Sequence, residues 1–190
     1  ILGGIKSISK ASSVIVPIMA VGYVAGGLII ILNNLELVAP ALKMIFTYAF
    51  TGEAAVGGAI GAAIRYGVAR GVFSNEAGMG SAPIAAAAAK TDHPARQGLV
   101  SMTGTFIDTI IVCSITGIVL VMGYIMAGNS FGDQTGAVLT IGVFDKLLPG
   151  VGGWVVTFGI IFFAYSTILG WSYYGEKCAT YLLGEKFVLP

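Results

Sequence analysis

The feature that most restricts the fold is a set of long apolar runs with few charged residues. Residues 13–32 read SVIVPIMAVGYVAGGLIIIL and contain no charged side chain. A hydrocarbon core of about 30 Å requires roughly 20 helical residues, so this run is long enough to cross a bilayer. Charged residues make up only 10% of the chain, against about 25% in soluble domains. The sequence therefore predicts an all-α integral membrane protein embedded in the lipid bilayer.

About four transmembrane helices are predicted, one of them broken, within a single membrane domain. The predicted spans are about 13–32, 54–89 (the broken one), 99–127 and 151–183. Residues 35–50 are too short and too charged to span comfortably, so we expect a partly interfacial helix there. Residues 128–150 form a polar extracellular connection, in which a short amphipathic helix is expected around 138–148.

The predicted span at 54–89 cannot be one continuous transmembrane helix. Its residues would make a helix about 54 Å long, nearly twice the hydrocarbon thickness. The natural break is FSNEAGMGSAP at 73–83, which combines glycine, serine, asparagine and proline. A break frees backbone N–H and C=O groups at a cost of several kcal/mol each unless they are satisfied. Such a break is therefore expected where the backbone lines a cavity.

The break contains residues that suit a binding site. Gly78 and Gly80 would let a ligand approach the backbone closely. Ser81 and Pro83 are suitable first residues for the second half-helix. Discontinuous helices of this kind form the substrate sites of many transporters. The alternative is a plain bend at a glycine-rich hinge, and both interpretations stay open at this point.

Four charged residues lie within the apolar runs, namely Arg65, Arg70, Glu76 and Asp108. Charges inside a membrane are expensive and usually face a protein interior or a watery cavity. For Arg65 and Arg70 we favour a structural role as charges neutralised by Glu76 and Asp108. Asp108 fits an ion path and a structural role equally well.

The distribution of Lys and Arg predicts the orientation in the plasma (inner) membrane. In the four-span arrangement one side carries Lys6, Lys10, Lys90, Arg96, Lys177 and Lys186, and the other carries Lys43 and Lys146. Because Lys and Arg are enriched on the cytoplasmic side, the start of the chain, the loop at 90–97 and the C-terminus are expected there. A net charge of +1 gives no basic field for nucleic acid.

The last predicted span contains a run of hydroxyl and aromatic residues. Ser166 and Thr167 are adjacent hydroxyls, which in a helix usually bond the carbonyl one turn back. The alternative is ligation of Na⁺, a hard cation that prefers oxygen. Trp171 lies one turn beyond Thr167 on roughly the same face. The aromatic cluster near the helix end, including Tyr173 and Tyr174, is typical of a membrane-interface belt.

Two other classes of protein are disfavoured. Gly78 and Gly80 alone do not make a nucleotide loop, because a third glycine, a preceding strand and a following lysine are lacking. The chain has one histidine, His93, which lies in a polar loop outside any His-containing metal motif. A membrane-embedded enzyme would need a nucleophile and a base within the bilayer. The sequence therefore predicts that the protein is not an enzyme.

Three stretches resemble the signature sequences of the alanine or glycine:cation symporter family. They are RGVFSNEAGMGSAP at 70–83, HPARQGL at 93–99 followed by FIDT at 106–109, and YSTILGWSYYGE at 165–176. They are long, occur in the family's order and cover most of 50–180. The chain is thus identified as similar to sodium:alanine symporters.

The resemblance implies a sodium-coupled importer of alanine or glycine, with Na⁺ as the coupling ion. It also implies the inverted-repeat fold of the amino-acid–polyamine–organocation superfamily, with two five-helix repeats whose first helices are broken. The span at 13–32 would end the first repeat, and 54–89 would begin the second. The family's other helices are then expected before Ile1 and after Pro190, as partners of this internal fragment.

The resemblance and the break together predict the site. The expected substrate contacts are Phe73, Asn75, Gly78, Met79, Gly80 and Trp171. Met79 and Trp171 would limit the volume and favour alanine or glycine, between which these residues do not decide. Ser166 and Thr167 would donate oxygens to a sodium ion shared with the first broken helix. The alternative function is a cation channel or a passive structural membrane domain.

Overall fold

A computed structural model describes residues 4–50, 74–76, 78–127, 131 and 134–184. Every regular element among these residues is helical, which confirms the all-α prediction. The elements are α1 (Gly4–Asn33), α2 (Leu35–Phe50), α3 (Ala82–Ala86), α4 (Pro94–Phe106), a π-helical segment (Ile107–Val112), α5 (Cys113–Ala127), α6 (Gly136–Leu147) and α7 (Gly152–Leu183). The first half of the predicted span 54–89, through residue 73, lies outside the described residues, and with it the predicted residues Arg65, Arg70 and Phe73.

Three helices in the described part of the chain are long and apolar enough to cross a membrane. They cover Ser7–Asn33, Pro94–Ala127 and Gly152–Leu183. The second is continuous from α4 through the π-helical segment into α5, and it begins at Pro94, before the predicted start of the span at Leu99. Pro94 has no N–H to leave unpaired and therefore suits the first position of a helix. His93 caps this helix by accepting a hydrogen bond from the Ala95 N–H at its Nδ1.

The core is built where α1, α5, α6 and α7 meet. Its largest fully buried side chains are Ile30, Val119, Met122, Val143, Phe144 and Val156, and Ala41 of α2 is fully buried against the same core. Glycines let the helices approach each other: Gly123 of α5 lies against Val143, and Gly152 of α7 lies against the Phe144 backbone. Small residues serve the same purpose in other membrane helix contacts. Because α7 starts at such a contact, its position relative to α6 is fixed.

One hydrogen bond links two of the long helices inside the apolar packing. The hydroxyls of Tyr23 on α1 and Thr116 on α5 lie 2.8 Å apart. Thr116 also donates to the Val112 carbonyl at the end of the π-helical segment. Polar groups in an apolar interior need such partners, because an unpaired one costs several kcal/mol. This bond holds α1 next to the helix that carries Asp108.

The outer faces of the long helices are strongly apolar. Exposed side chains on these faces include Val14, Ile18, Val21, Leu99, Val100, Phe158 and Ile168. Surfaces of this kind suit lipid or further transmembrane helices and do not suit water. The described residues therefore form an integral membrane structure, as the composition predicts.

Candidate functional site

The backbone departs from helical geometry at Glu76, Gly78 and Gly80, which lie within the predicted break at 73–83. Glu76 has a φ of 55°, Gly78 one of 83° and Gly80 one of 81°. This left-handed region is open to glycine but costs other residues roughly 1–2 kcal/mol. Glu76 is the one non-glycine residue with a positive φ in the described part of the chain. Its backbone therefore depends on the contacts that hold it.

The two glycines of the break are surrounded by open space. A Cβ atom built on Gly78 or Gly80 would meet no heavy atom within 4 Å. Both residues are exposed. Glycine is thus required here by the backbone conformation and not by crowding. The consequence is a stretch of main chain that a small ligand can reach from the side.

The first part of the break is attached to the π-helical segment. Ser74 Oγ lies 3.1 and 2.9 Å from the two carboxylate oxygens of Asp108 and donates to them. Asn75 Nδ2 donates to Thr109 Oγ1 at 3.1 Å. Two successive residues of the break therefore contact two successive residues of the neighbouring helix. π-Helical turns are rare and occur frequently at functional sites.

The second part of the break is attached to α3 and α7 through Glu76. Its Oε2 atom accepts hydrogen bonds from Ser81 Oγ at 2.8 Å and from the Tyr174 hydroxyl at 3.2 Å. Ser81 occupies the N-cap position of α3, as predicted, but its side chain bonds Glu76 and does not cap the helix. Pro83 lies in the first turn of α3, also as predicted. The break is thus held to two long helices by different side chains.

The half-helix after the break is shorter than the sequence suggested. α3 ends at Ala86, and turn hydrogen bonds from Ala88 N–H to Ala85 and from Ala89 N–H to Ala86 follow it. The prediction had the helical run continue to residue 89. Alanine favours helix but supplies little surface for tertiary packing, and packing provides most helical stability in proteins.

A cavity of about 690 Å³ opens beside the break. Its polar lining residues are Ser74, Asn75, Glu76, Ser101, Thr105, Asp108 and Tyr174. Gly78 and Gly80 also line it, so three of the predicted substrate residues border one cavity. Pockets of about 300–1,000 Å³ with a few convergent polar groups are typical of small-molecule sites.

Sequence reasoning missed four of the polar lining residues, Ser74, Ser101, Thr105 and Tyr174. Ser101 and Thr105 could have been predicted from their spacing. They lie at i and i+4 on one helix face, and Asp108 at i+7 lies on the same face. The aromatic cluster at the helix end instead predicts a membrane-interface belt that includes Tyr174. In the structure its hydroxyl bonds Glu76 and its ring borders the cavity.

Met79 and Trp171, the predicted volume-limiting residues, lie near the cavity but are not among its lining residues in the described structure. The Met79 N–H donates to the Glu76 carbonyl at 3.3 Å. The Trp171 ring packs edge-on against the Tyr174 ring, with centroids 5.8 Å apart and an interplanar angle of 69°. Trp171 thus adjoins a residue of the cavity wall.

The predicted sodium ligands lie on α7. Ser166 Oγ donates to the Phe163 carbonyl at 3.0 Å, which is the ordinary back-bond expected of a helical serine. A hydroxyl that donates its hydrogen in this way still has oxygen lone pairs, which can coordinate a cation. Among the described residues no cluster of three or more His, Cys, Asp or Glu could hold a metal ion. A cation beside Ser166 and Thr167 would therefore depend on hydroxyl and carbonyl oxygens.

Arg65 and Arg70, the predicted counter-charges of Glu76 and Asp108, lie outside the described residues, and both carboxylates are partly buried. The two ion pairs in the described part of the chain are Arg96–Asp92 and Lys177–Glu176. Neither pair involves Glu76 or Asp108, whose described partners are hydroxyl groups.

Three long apolar helices and a polar break anchored to two of them define an α-helical membrane protein with a polar cavity beside the break. The family model described as the sodium:alanine symporter family matches residues 1–190. The chain belongs to this family, which confirms the resemblance predicted from the three signature stretches.

Named relatives share much of this sequence. The sodium/alanine symporter AgcS of Methanococcus maripaludis is 62% identical over 98% of the chain. A sodium/proton-dependent alanine carrier protein of a Bacillus species is 34% identical over 96%, and a probable sodium/glutamine symporter, GlnT of Bacillus subtilis, is 40% identical over 98%. The chain spans 41%, 44% and 38% of these relatives, respectively. All three names describe transporters, in agreement with the prediction that the protein is not an enzyme.

Proposed function

We propose that these residues form part of a symporter that carries a small neutral amino acid, alanine or glycine, together with Na⁺ across the plasma membrane. The observation that carries the proposal is the break at residues 74–81, where two open glycines border a polar cavity. The names of the relatives support cation-coupled transport of an amino acid.

Substrate binding is assigned to the backbone of the break and to its neighbouring side chains. The main chain at Gly78 and Gly80 offers N–H and C=O groups to the carboxylate and ammonium of the amino acid. The amide of Asn75 lies at the same cavity. Phe73, Met79 and Trp171 complete the proposed site and restrict the volume left for the substrate side chain.

Sodium is assigned to Ser166 and Thr167 of α7, with further oxygens from helices outside these residues. The cation and the amino acid would together stabilise the closed site, which couples their movements. Alternating access would follow from rocking of one helix bundle against the other, in an inverted-repeat fold with residues 54–89 as the broken first helix of the second repeat. In this arrangement the start of α1, the loop at 90–97 and the end of α7 face the cytoplasm.

Uptake of labelled alanine into proteoliposomes tests the proposal. The complete transporter that contains these residues is reconstituted, and uptake is measured with an inward Na⁺ gradient or with choline in its place. The expected result is saturable uptake that requires Na⁺ and is competed by glycine. Equal uptake in choline would contradict sodium coupling.

The same vesicles distinguish the alternatives. A current that rises with substrate concentration without saturation would favour a channel. Absence of both uptake and current in a folded, correctly inserted protein would favour a passive structural domain. Stronger competition by glutamine than by alanine would contradict the proposed substrate class. Glutamine is included as a competitor because one relative is named a probable sodium/glutamine symporter.

Single alanine substitutions test the sodium assignment. Ser166→Ala and Thr167→Ala each remove one hydroxyl oxygen and are expected to raise the Na⁺ concentration needed for half-maximal uptake, with little change in thermal stability. Ser172→Ala is a matched control, since Ser172 lies on the same helix and its hydroxyl donates to the Ile168 carbonyl at 2.6 Å. Equal Na⁺ dependence in all three variants would contradict the assignment.

A further inference from the structure

Glu76 connects parts of the chain that are distant in sequence. A single carboxylate oxygen accepts one hydroxyl from Ser81, five residues away, and another from Tyr174, 98 residues away. Hydrogen bonds to an ionised acceptor are stronger than neutral ones. These two bonds hold a residue whose left-handed backbone is otherwise unfavourable. The orientation of the Glu76 side chain is therefore tied to α7.

The contact continues from Tyr174 to Trp171. The two residues have an i, i+3 spacing on α7, and their rings meet edge to face. Edge-to-face contacts of this kind prefer a defined relative orientation. Because the Tyr174 hydroxyl is bonded to Glu76 while its ring lies against Trp171, rotation of the Tyr174 ring would disturb both contacts. Glu76 is thus connected to Trp171 through one intermediate side chain.

We propose that the Glu76–Tyr174 hydrogen bond determines substrate size, by holding the Tyr174 and Trp171 rings as a fixed wall beside the substrate cavity. The inference rests on the proposed function, in which Trp171 limits the volume available to the amino acid. Tyr174 itself borders that cavity. With the bond intact, the wall admits amino acids with little or no side chain beyond the Cβ. Without it, the rings reorient and larger neutral amino acids enter.

Tyr174→Phe is the most direct test, because it removes the hydroxyl and keeps the ring. Uptake of labelled alanine by the complete transporter is competed with glycine and with glutamine, in parallel for the wild type and the variant. Loss of a hydrogen bond to a charged group changes an equilibrium by about tenfold or more. We expect the preference for alanine over glutamine to fall by about that factor, with glycine affected least.

Tyr181→Phe is the matched control. Tyr181 lies on the same helix with 89% of its surface exposed, so the same chemical change there removes no described contact of the break. The preference for alanine should equal that of the wild type in this variant. A lower uptake rate in Tyr174→Phe with an unchanged preference would overturn the inference, since the bond would then anchor the break without affecting selectivity.

Glu76→Gln decides the question if Tyr174→Phe does not accumulate in the membrane. A glutamine keeps one carbonyl oxygen as an acceptor but loses the charge, so the preference should shift in the same direction by a smaller factor. A wild-type preference in this variant overturns the inference. Failure of the proposed function would be visible separately, as absent or Na⁺-independent alanine uptake by the wild type itself.

Discussion

Glycine has opposite roles in two regions of this molecule. Where α5, α6 and α7 meet, a Cβ on Gly123 or Gly152 would overlap the Val143 side chain or the Phe144 backbone. At the break, a Cβ on Gly78 would touch nothing, yet its φ is in the left-handed region. The first region needs glycine for packing and the second needs it for conformation.

This difference separates the rigid part of the structure from its candidate binding surface. Helices in backbone contact cannot shift without breaking a close-packed arrangement. A main chain bordered by open space can instead be contacted by a ligand. Substitution by alanine distinguishes the two regions, because it adds volume in one and backbone strain in the other.

The largest effect is expected for Gly152→Ala. The added methyl group would overlap the Phe144 carbonyl, which belongs to a helical backbone and cannot move aside. We expect a loss of about 3 kcal/mol in the free energy of unfolding, at the upper end of ordinary overpacking costs. Thermal unfolding in detergent and the yield in membranes measure it.

Gly117→Ala is the control for this change. Gly117 lies on α5, and the Cβ of an alanine there would have no heavy atom within 4 Å. No destabilisation is expected there. Equal melting temperatures for the two variants would show that the α6–α7 contact is not as close as described.

A smaller effect of a different kind is expected for Gly78→Ala. An alanine at a φ of 83° costs roughly 1–2 kcal/mol. Because the surrounding space is open, the break can relax to another conformation and the helices need not unfold. The expected result is about tenfold weaker alanine binding with little change in melting temperature.

Calorimetric titration of the purified transporter in Na⁺ measures this binding, and Gly175→Ala on α7 serves as control because no φ strain or crowding is found there. If Gly78→Ala kept its affinity for alanine but lost much of its stability, Gly78 would be required for helix packing, as Gly123 and Gly152 are, and not for substrate binding.

A third test concerns the contact of the break with the π-helical segment. Ser74→Ala and Asp108→Asn each weaken the same hydrogen bonds, so their effects on stability should not add. A coupling energy of about 1 kcal/mol is expected in the double-mutant cycle. Chemical denaturation of the four proteins provides the cycle. Strictly additive losses would mean that Ser74 and Asp108 do not interact.

The smallest effect is expected outside both regions. Arg96 and Asp92 form an i, i+4 ion pair whose side chains are mostly exposed. Arg96→Ala should change the free energy of unfolding by less than about 0.5 kcal/mol, as for other exposed ion pairs. The thermal unfolding experiment used for Gly152→Ala measures this as well. A loss comparable to that of Gly152→Ala would show that this ion pair at the start of α4 has a structural role that its exposure does not indicate.

The sequence predicted the helices better than the contacts between them. Runs such as 13–32 are long and uncharged, and the described helices cover them because backbone groups in lipid must be satisfied within the helix. The expected short helix around 138–148 corresponds to α6, and α2 covers residues 35–50. The positive φ values of Glu76, Gly78 and Gly80 lie within the glycine-rich stretch at 73–83, whereas the helix predicted before it lies outside the described residues. These features follow from local composition.

The π-helical segment and the partners of Glu76 could not be predicted. Nothing in the residues around Asp108 specifies a π-helical turn, and the contacts that Asp108 and Thr109 make with Ser74 and Asn75 come from another part of the chain. The Glu76–Tyr174 bond joins residues 98 positions apart. The sequence suggested the cations Arg65 and Arg70 as partners of Glu76, whereas its described partners are the hydroxyls of Ser81 and Tyr174. Uncharged residues such as these cannot be recognised as partners of a carboxylate from the distribution of charge along the sequence.

The most direct test of the proposed site is an experimental structure of the complete transporter with alanine and Na⁺ bound. The predicted result is density for the amino acid against the main chain of Gly78 and Gly80, with the Asn75 amide within hydrogen-bonding distance. Density for alanine elsewhere in the protein, with the cavity beside the break empty, would contradict the assignment of this break as the substrate site.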